Sequence, residues 1–321
     1  MKPYVILISS ASGIGKSTIA SEVANTLGIK YLIETDFIRA IVRGIIGSEY
    51  APALHKSSYN AYTTLRDTYN FKSEEELITA GYEEHASFVI PAIEKVISRC
   101  VLDNDSIVIE GVHLVPGLIN IKQFEDLANI HFFVLTVDEK QHQERFIQRA
   151  LAIKRGGTQI DYFKENRIIN DALVSQAKTL NIPVIFNNNK DTTVKKVLQY
   201  INEVSRIVFV RHKVDDIDLE REIITKHGGR ITDISYYIPE FKEPLTRIVE
   251  NYEDNTSSGK FINVIEHETK QKESLGTLYE LSNNIHSHHL YAPDENKLND
   301  IIQELKENNL INKDVFILSD E

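Results

Sequence analysis

The sequence predicts an α/β protein in two parts: a five-stranded parallel sheet with helices on both faces over residues 1–204, and a smaller α+β domain over residues 205–321. Short β-rich apolar runs alternate with longer helical patterns from Tyr4 to about Tyr200, as in a parallel sheet joined by crossover helices. Those runs are continuously apolar, which fits burial on both faces. After about Ser205 the strand and helix pattern restarts. A chain of 321 residues with 42% hydrophobic residues suits two domains at the usual ~100–200 residues each. With 14 Gly and 8 Pro, collagen, coiled coil and full-length disorder are excluded.

The expected strands of the first part are Tyr4–Ser10, Lys30–Glu34, Ser106–Glu110, His131–Val137 and Pro183–Phe186. A first helix over Ile19–Leu27 ends at Gly28, and Thr35-Asp36 opens the run Phe37–Val42. Ser73 and Glu76 stand at capping-box spacing, and Pro91 inside Ser73–Arg99 implies either a kink or two helices. In the second part, strands at Arg206–Lys213, Arg230–Ile238, Phe261–Glu266 and Ile285–Tyr291 and helices at Ile217–His227, Gln271–Asn283 and Glu295–Asn308 give a βαββαβ-like, ferredoxin-like succession. Tyr252–Lys260, rich in Asn, Asp, Ser and Gly, reads as a loop.

The formal charge is 36 − 47 = −11, so no broad basic field favours a nucleic-acid partner, and an anionic ligand must meet a local cation cluster. The lone Cys100 excludes an intramolecular disulfide and is compatible with a reducing cytoplasm. No apolar run approaches the ~18–20 residues of a membrane span, so the chain reads as soluble and cytoplasmic.

The sharpest local signal is Ser10-Ala11-Ser12-Gly13-Ile14-Gly15-Lys16-Ser17-Thr18, between a strand and a helix. That context marks a P-loop, whose backbone N–H groups and helix N-terminus cradle the phosphates of ATP. Lys16 then reaches the β/γ-phosphates and Ser17 holds Mg²⁺. Ser10 stands where the pattern has its first glycine. At the end of the second strand, Asp36 is placed to accept the acceptor hydroxyl's proton or to orient Mg²⁺, and Arg39 and Arg43 share a helix face to grip an anionic acceptor. A capping aspartate with solvated arginines is the alternative. Glu110 ends the third strand as a Walker-B-type carboxylate on the metal side, followed by Gly111 and by His113, which suits either a substrate oxygen or a structural turn. Arg145, Arg149, Lys154 and Arg155, then Gly156-Gly157 and Tyr162 to Arg167, read as a lid near residues 145–167 or as a solvated helix face. In the lid reading, Arg145 and Arg155 bind nucleotide and Arg149 approaches the transferring phosphoryl group.

With these residues in place the sequence resembles the archaeal 2-phosphoglycerate kinase family over roughly Tyr4 to Tyr200. The likeness is carried by the P-loop and by Glu34-Thr35-Asp36-Phe37-Ile38-Arg39, Leu54-His55-Lys56-Ser57-Ser58-Tyr59, Ile109-Glu110-Gly111-Val112-His113-Leu114-Val115-Pro116-Gly117 and Lys154-Arg155-Gly156-Gly157. It implies a P-loop NTPase core of the nucleoside-monophosphate-kinase type that transfers phosphate from ATP, with Mg²⁺, to 2-phosphoglycerate. It also implies that Arg39, Arg43, His55, Ser58, Tyr59 and His113 face the acceptor. Characterised members carry an ATP-cone segment ahead of the P-loop, whereas here the first strand begins at Tyr4. Two other readings stay open: a kinase of another polyol or sugar phosphate, and a nucleotide-dependent sensor without a chemical acceptor. The second part carries no family likeness and suits a regulatory ligand, homodimer contacts or a packing extension of the kinase. Within Ile285-His286-Ser287-His288-His289, His286 and His288 share a strand face, so at most a pair is presented locally and no histidine is assigned to a metal.

Overall fold

In strand β1 (Tyr4–Ser9) every residue from Val5 onward is buried, so both faces of this strand need helical cover. The computed structural model supplies that cover; it describes residues 2–66, 68–152, 157–249 and 269–311. The chain divides into two units, Met1–Leu198 and Gln199–Glu321.

In the first unit, β1 leads into α1 (Lys16–Thr26), β2 (Tyr31–Glu34), α2 (Thr35–Ile45) and the short α3 (Pro52–His55). Helices α4 (Glu74–Ser87) and α5 (Ile90–Leu102) precede β3 (Ile107–Glu110), β4 (Asn129–Thr136) and α6 (Glu139–Ala152). Then come α7 (Phe163–Thr179), β5 (Val184–Phe186) and α8 (Lys190–Asn202), which runs into the second unit. The sheet order is β2-β3-β1-β4-β5, with every pairing parallel. Val5, Leu7, Ile107 and Ile109 pack with Ile78, Tyr82, Ile93 and Leu173 in one core. Burial of each such side chain stabilises the fold by about 1.5–3 kcal/mol.

The five expected strands form within two residues of their predicted limits. Of the two outcomes for Pro91, the structure shows two helices, with Pro91 in the first turn of α5, where its missing N–H costs nothing. The Ser73 hydroxyl accepts the Glu76 N–H at 3.2 Å, the cap expected for α4.

The second unit runs β6 (Val204–Arg211), α9 (Ile217–Lys226), β7 (Arg230–Tyr236), β8 (Leu245–Ile248), α10 (Thr269–Leu281), β9 (Ile285–Ala292) and α11 (Glu295–Glu307). The elements expected at β6, α9, β7, α10, β9 and α11 form, and the sheet order corrects the ferredoxin-like expectation. The order is β6-β9-β7-β8, so β9 and β7 are central where that fold places its first and third strands. The eight-residue β9 pairs antiparallel along all of β6 and, on its other edge, with β7. Strand β8 was missed from sequence, while the expected loop at Tyr252–Lys260 and strand at Phe261–Glu266 lie outside the described residues.

Candidate active site and a second polar cluster

Parallel pairing places the ends of three strands together: Ile8 of β1 and Glu34 of β2 both stand opposite Glu110 of β3. The loop after β1 turns through Gly13 at φ 89° and Gly15 at φ 100°, left-handed values that disfavour other residues. A Cβ on Gly15 would lie 2.7 Å from Asn187 Nδ2. Ser10 is buried and keeps an ordinary backbone conformation among the described residues, so the loop closes without a glycine there.

Lys16 opens α1 and is only 8% exposed. Burial lowers its pKa, opposed by the nearby charges of Glu110, Asp36 and Glu34, while Arg149 pushes it further down. Glu110 is also buried, and its carboxyl is raised by that burial against the pull of Lys16 and of the Ser17 hydroxyl that hydrogen-bonds it. The buried P-loop lysine and strand-end carboxylate therefore form one cluster with the half-buried Ser17. Asp36 is exposed in the first turn of α2, and the N-cap position falls on Glu34, which makes no side-chain capping hydrogen bond, so Asp36 is not the cap of this helix.

The loop is braced from behind. His142 of α6 donates Nε2–H to the Ser12 carbonyl at 2.8 Å, and its buried Nδ1 has no partner. Asn187, just beyond β5, donates to the Ile14 carbonyl at 2.8 Å. Arg145 donates to the carbonyls of Ile14 and Asn187, at 3.3 and 2.8 Å, so part of this guanidinium assigned to nucleotide is spent on the loop itself. Arg149 is exposed, and Arg155 lies outside the described residues.

On the acceptor side the side chains are engaged differently from the expectation. Arg39 donates to the carbonyls of Leu54 and Lys56, which leaves only part of its fork for a ligand. His55 donates to the Ile46 carbonyl at 2.7 Å, while Arg43 is exposed. Ser58 is half-buried, and the Tyr59 ring lies 4.8 Å from that of Tyr162. His113 corrects the substrate-facing reading: it is fully buried, with Nδ1 2.7 Å from the Thr35 hydroxyl and Nε2 3.0 Å from His85 Nε2. Sequence reasoning passed over His85, His142 and Asn187. Asn187 had a usable signal, since it follows a parallel strand at the sheet's ligand-binding edge; the two helical histidines gave none.

In the second unit, His212 beyond β6, Glu220 of α9 and His286 and His288 of β9 are all buried, and one ligand atom from each lies within 4.8 Å of the others. His212 Nδ1 donates to the Lys213 carbonyl at 2.8 Å, and its Nε2 makes a hydrogen bond with a Glu220 carboxylate oxygen 3.0 Å away. The other carboxylate oxygen is 2.8 Å from His288 Nε2, yet neither atom has a hydrogen bond, and His286 Nδ1 is likewise unpartnered. The strand pair seen in the sequence is completed by two residues remote in the chain.

Residues 205–314 match the 3H domain. The 2-phosphoglycerate kinase of Methanocaldococcus jannaschii is 39% identical over 223 residues, 69% of this chain and 70% of that one. That of Methanothermobacter thermautotrophicus is 40% identical over 214 residues, covering 64% and 67%, and that of Methanopyrus kandleri is 38% identical over 205 residues, covering 63% and 61%. Among solved structures, a gluconokinase from Sinorhizobium meliloti aligns over 62% of this chain and 91% of its own, at 14% identity and a TM-score of 0.37. Sequence identity at this level over two thirds of both chains places the chain in the 2-phosphoglycerate kinase family.

Proposed function

We propose that the first unit transfers the γ-phosphoryl group of ATP to the free hydroxyl of 2-phosphoglycerate, giving ADP and 2,3-bisphosphoglycerate. The observation that carries this reading is the buried Lys16 at the N-terminus of α1, set against Glu110 and Ser17 and under the charge of Asp36. The acceptor oxygen bonds to phosphorus as the bridging P–O bond to ADP breaks, and Asp36 takes the hydroxyl proton. Lys16, held out of water, balances charge on the phosphoryl oxygens. The free N–H groups of Arg39, with Arg43, Ser58 and Tyr59, face the acceptor's anionic groups. The donor set fits Mg²⁺, since Ser17, Glu110 and Asp36 offer hard oxygens. When bound, the ion neutralises charge shared between the β- and γ-phosphates. Acceptor-dependent ADP release tests the reading: release with 2-phosphoglycerate supports it, and ADP formed at the same rate without any acceptor contradicts it.

For the second unit, we infer a transition-metal site of three histidines and one carboxylate, on the observation that one ligand atom from each of the buried His212, Glu220, His286 and His288 lies within 4.8 Å of the others, while Glu220, His286 and His288 each keep a buried polar atom without a hydrogen bond. Elemental analysis of the purified protein should find about one zinc-group or neighbouring divalent ion per chain, and Glu220→Gln with His288→Ala should remove it. Metal content unchanged by these substitutions contradicts the assignment.

A further inference from the structure

The buried chain of hydrogen bonds from Thr35 through His113 and His85 to Ala53 has one possible direction. The Ala53 carbonyl only accepts, so His85 Nδ1, 2.8 Å from it, carries the proton. A neutral His85 then has a bare Nε2, and His113 Nε2–H donates to it across 3.0 Å. That leaves His113 Nδ1 bare, and the Thr35 hydroxyl donates to it across 2.7 Å. A proton added to His85 Nε2 would set two N–H groups against each other. Burial holds both rings neutral, with His85 lowered to about 4 and His113 lowered well below its ordinary value.

Each end of this chain meets a part of the proposed reaction site. Thr35 immediately precedes Asp36, and its hydroxyl fills the space a side chain at position 111 would need: a Cβ there would lie 1.7 Å from Thr35 Oγ1. Gly111 immediately follows Glu110. At the other end, Ala53 is followed by Leu54, whose carbonyl accepts two N–H groups of Arg39. The β2–α2 junction, the exit of β3 and helix α3 are thus tied through two imidazoles, and each carries a group assigned to metal or acceptor.

We propose that Thr35, His113 and His85 are positioning residues that hold Asp36 in register with Glu110 for phosphoryl transfer. The inference rests on the phosphoryl-transfer reading above. Thr35, His85 and His113 are almost completely buried, so they act through their neighbours. A misplacement of about 1 Å in such a site costs on the order of 10²-fold in rate, so a partial loosening is read in kcat.

Thr35→Val keeps the shape of the side chain and deletes the donor, while Thr35→Ser keeps the donor. The valine variant loses about tenfold in kcat with the KM for ATP within about twofold of the parent, and the serine variant recovers most of that loss. Thr35 and His85 are joined through His113, so Thr35→Val combined with His85→Gln loses no more than the worse single variant. Multiplying losses, an unchanged kcat in Thr35→Val, or a serine variant as impaired as the valine would each overturn the relay. Histidine ¹⁵N NMR reads the same chain without turnover: at pH 7 His85 carries its proton on Nδ1 and His113 on Nε2. Any other tautomer pair overturns the relay. Absence of all acceptor phosphorylation by the parent protein would overturn the function reading instead, leaving the relay to the tautomer measurement.

Discussion

Single side chains in the first unit carry opposed charge and burial. Lys16 and Glu110 each resist ionisation through burial and each restores it in the other, so the pair is poised to exchange partners when phosphate arrives. His85 is a simpler case. Burial lowers it from 6.5 to about 4, with Arg39 and Arg43 adding to the fall and Asp36 and the Ala53 carbonyl opposing it. A folded-state pKa below the unfolded value means that the stabilisation is fully present above about pH 6.5 and is lost as pH falls toward 4. His131, also lowered to about 4 by burial, acts in the same direction. Each contributes a loss of about 2 kcal/mol between pH 6.5 and 5, where most carboxylates are still ionised. Urea unfolding of the protein across that window should therefore show falling stability, and His85→Gln should flatten the fall. A level profile from pH 6.5 to 5 would contradict the burial of these rings.

At the scale of elements, the P-loop is held by structure that its own motif does not mention. Helix α6 sends His142 to the Ser12 carbonyl and Arg145 to the Ile14 carbonyl, and the segment after β5 sends Asn187 to the latter. A loop whose N–H groups must point at phosphate needs its carbonyls occupied elsewhere, and these three side chains do that. His142→Ala should raise the KM for ATP by about 5–20-fold, consistent with a lost hydrogen bond of about 1–1.8 kcal/mol, and leave the KM for the acceptor nearly unchanged. Equal rises in both values would show a general loss of structure. The strands, the P-loop and the break at Pro91 were legible because each is written in a contiguous run: apolar stretches, small residues before a lysine, a ring with no N–H. The partners of Arg39, His113 and His142 were not, since an acceptor or ring nitrogen 15, 28 or 130 positions away leaves no local trace.

The whole molecule joins a kinase core to a second α/β unit with its own hydrophobic core, built on Val208, Val210, Ile223, Leu290 and Ile301. No helix of the described residues is long and apolar enough to cross a membrane. Sequence placed the division at residue 204/205, six residues from the observed boundary at Leu198, because the strand pattern restarts just after helix α8. The histidine cluster of the second unit was out of reach: its members come from the residue after β6, from α9 and from β9, and only the fold brings positions 212, 220, 286 and 288 together. The first unit alone contains every group assigned to phosphoryl transfer, and the acceptor is what that assignment commits to. Phosphorus-31 NMR of the full chain incubated with ATP, Mg²⁺ and 2-phosphoglycerate, beside Lys16→Met as a control, reads the chemistry directly. The account predicts two phosphomonoester signals of 2,3-bisphosphoglycerate growing in step with ADP for the parent, and a rate lower by orders of magnitude for Lys16→Met. A folded parent protein that binds ATP yet forms no 2,3-bisphosphoglycerate, or a Lys16→Met variant that forms it at the parent rate, would contradict it.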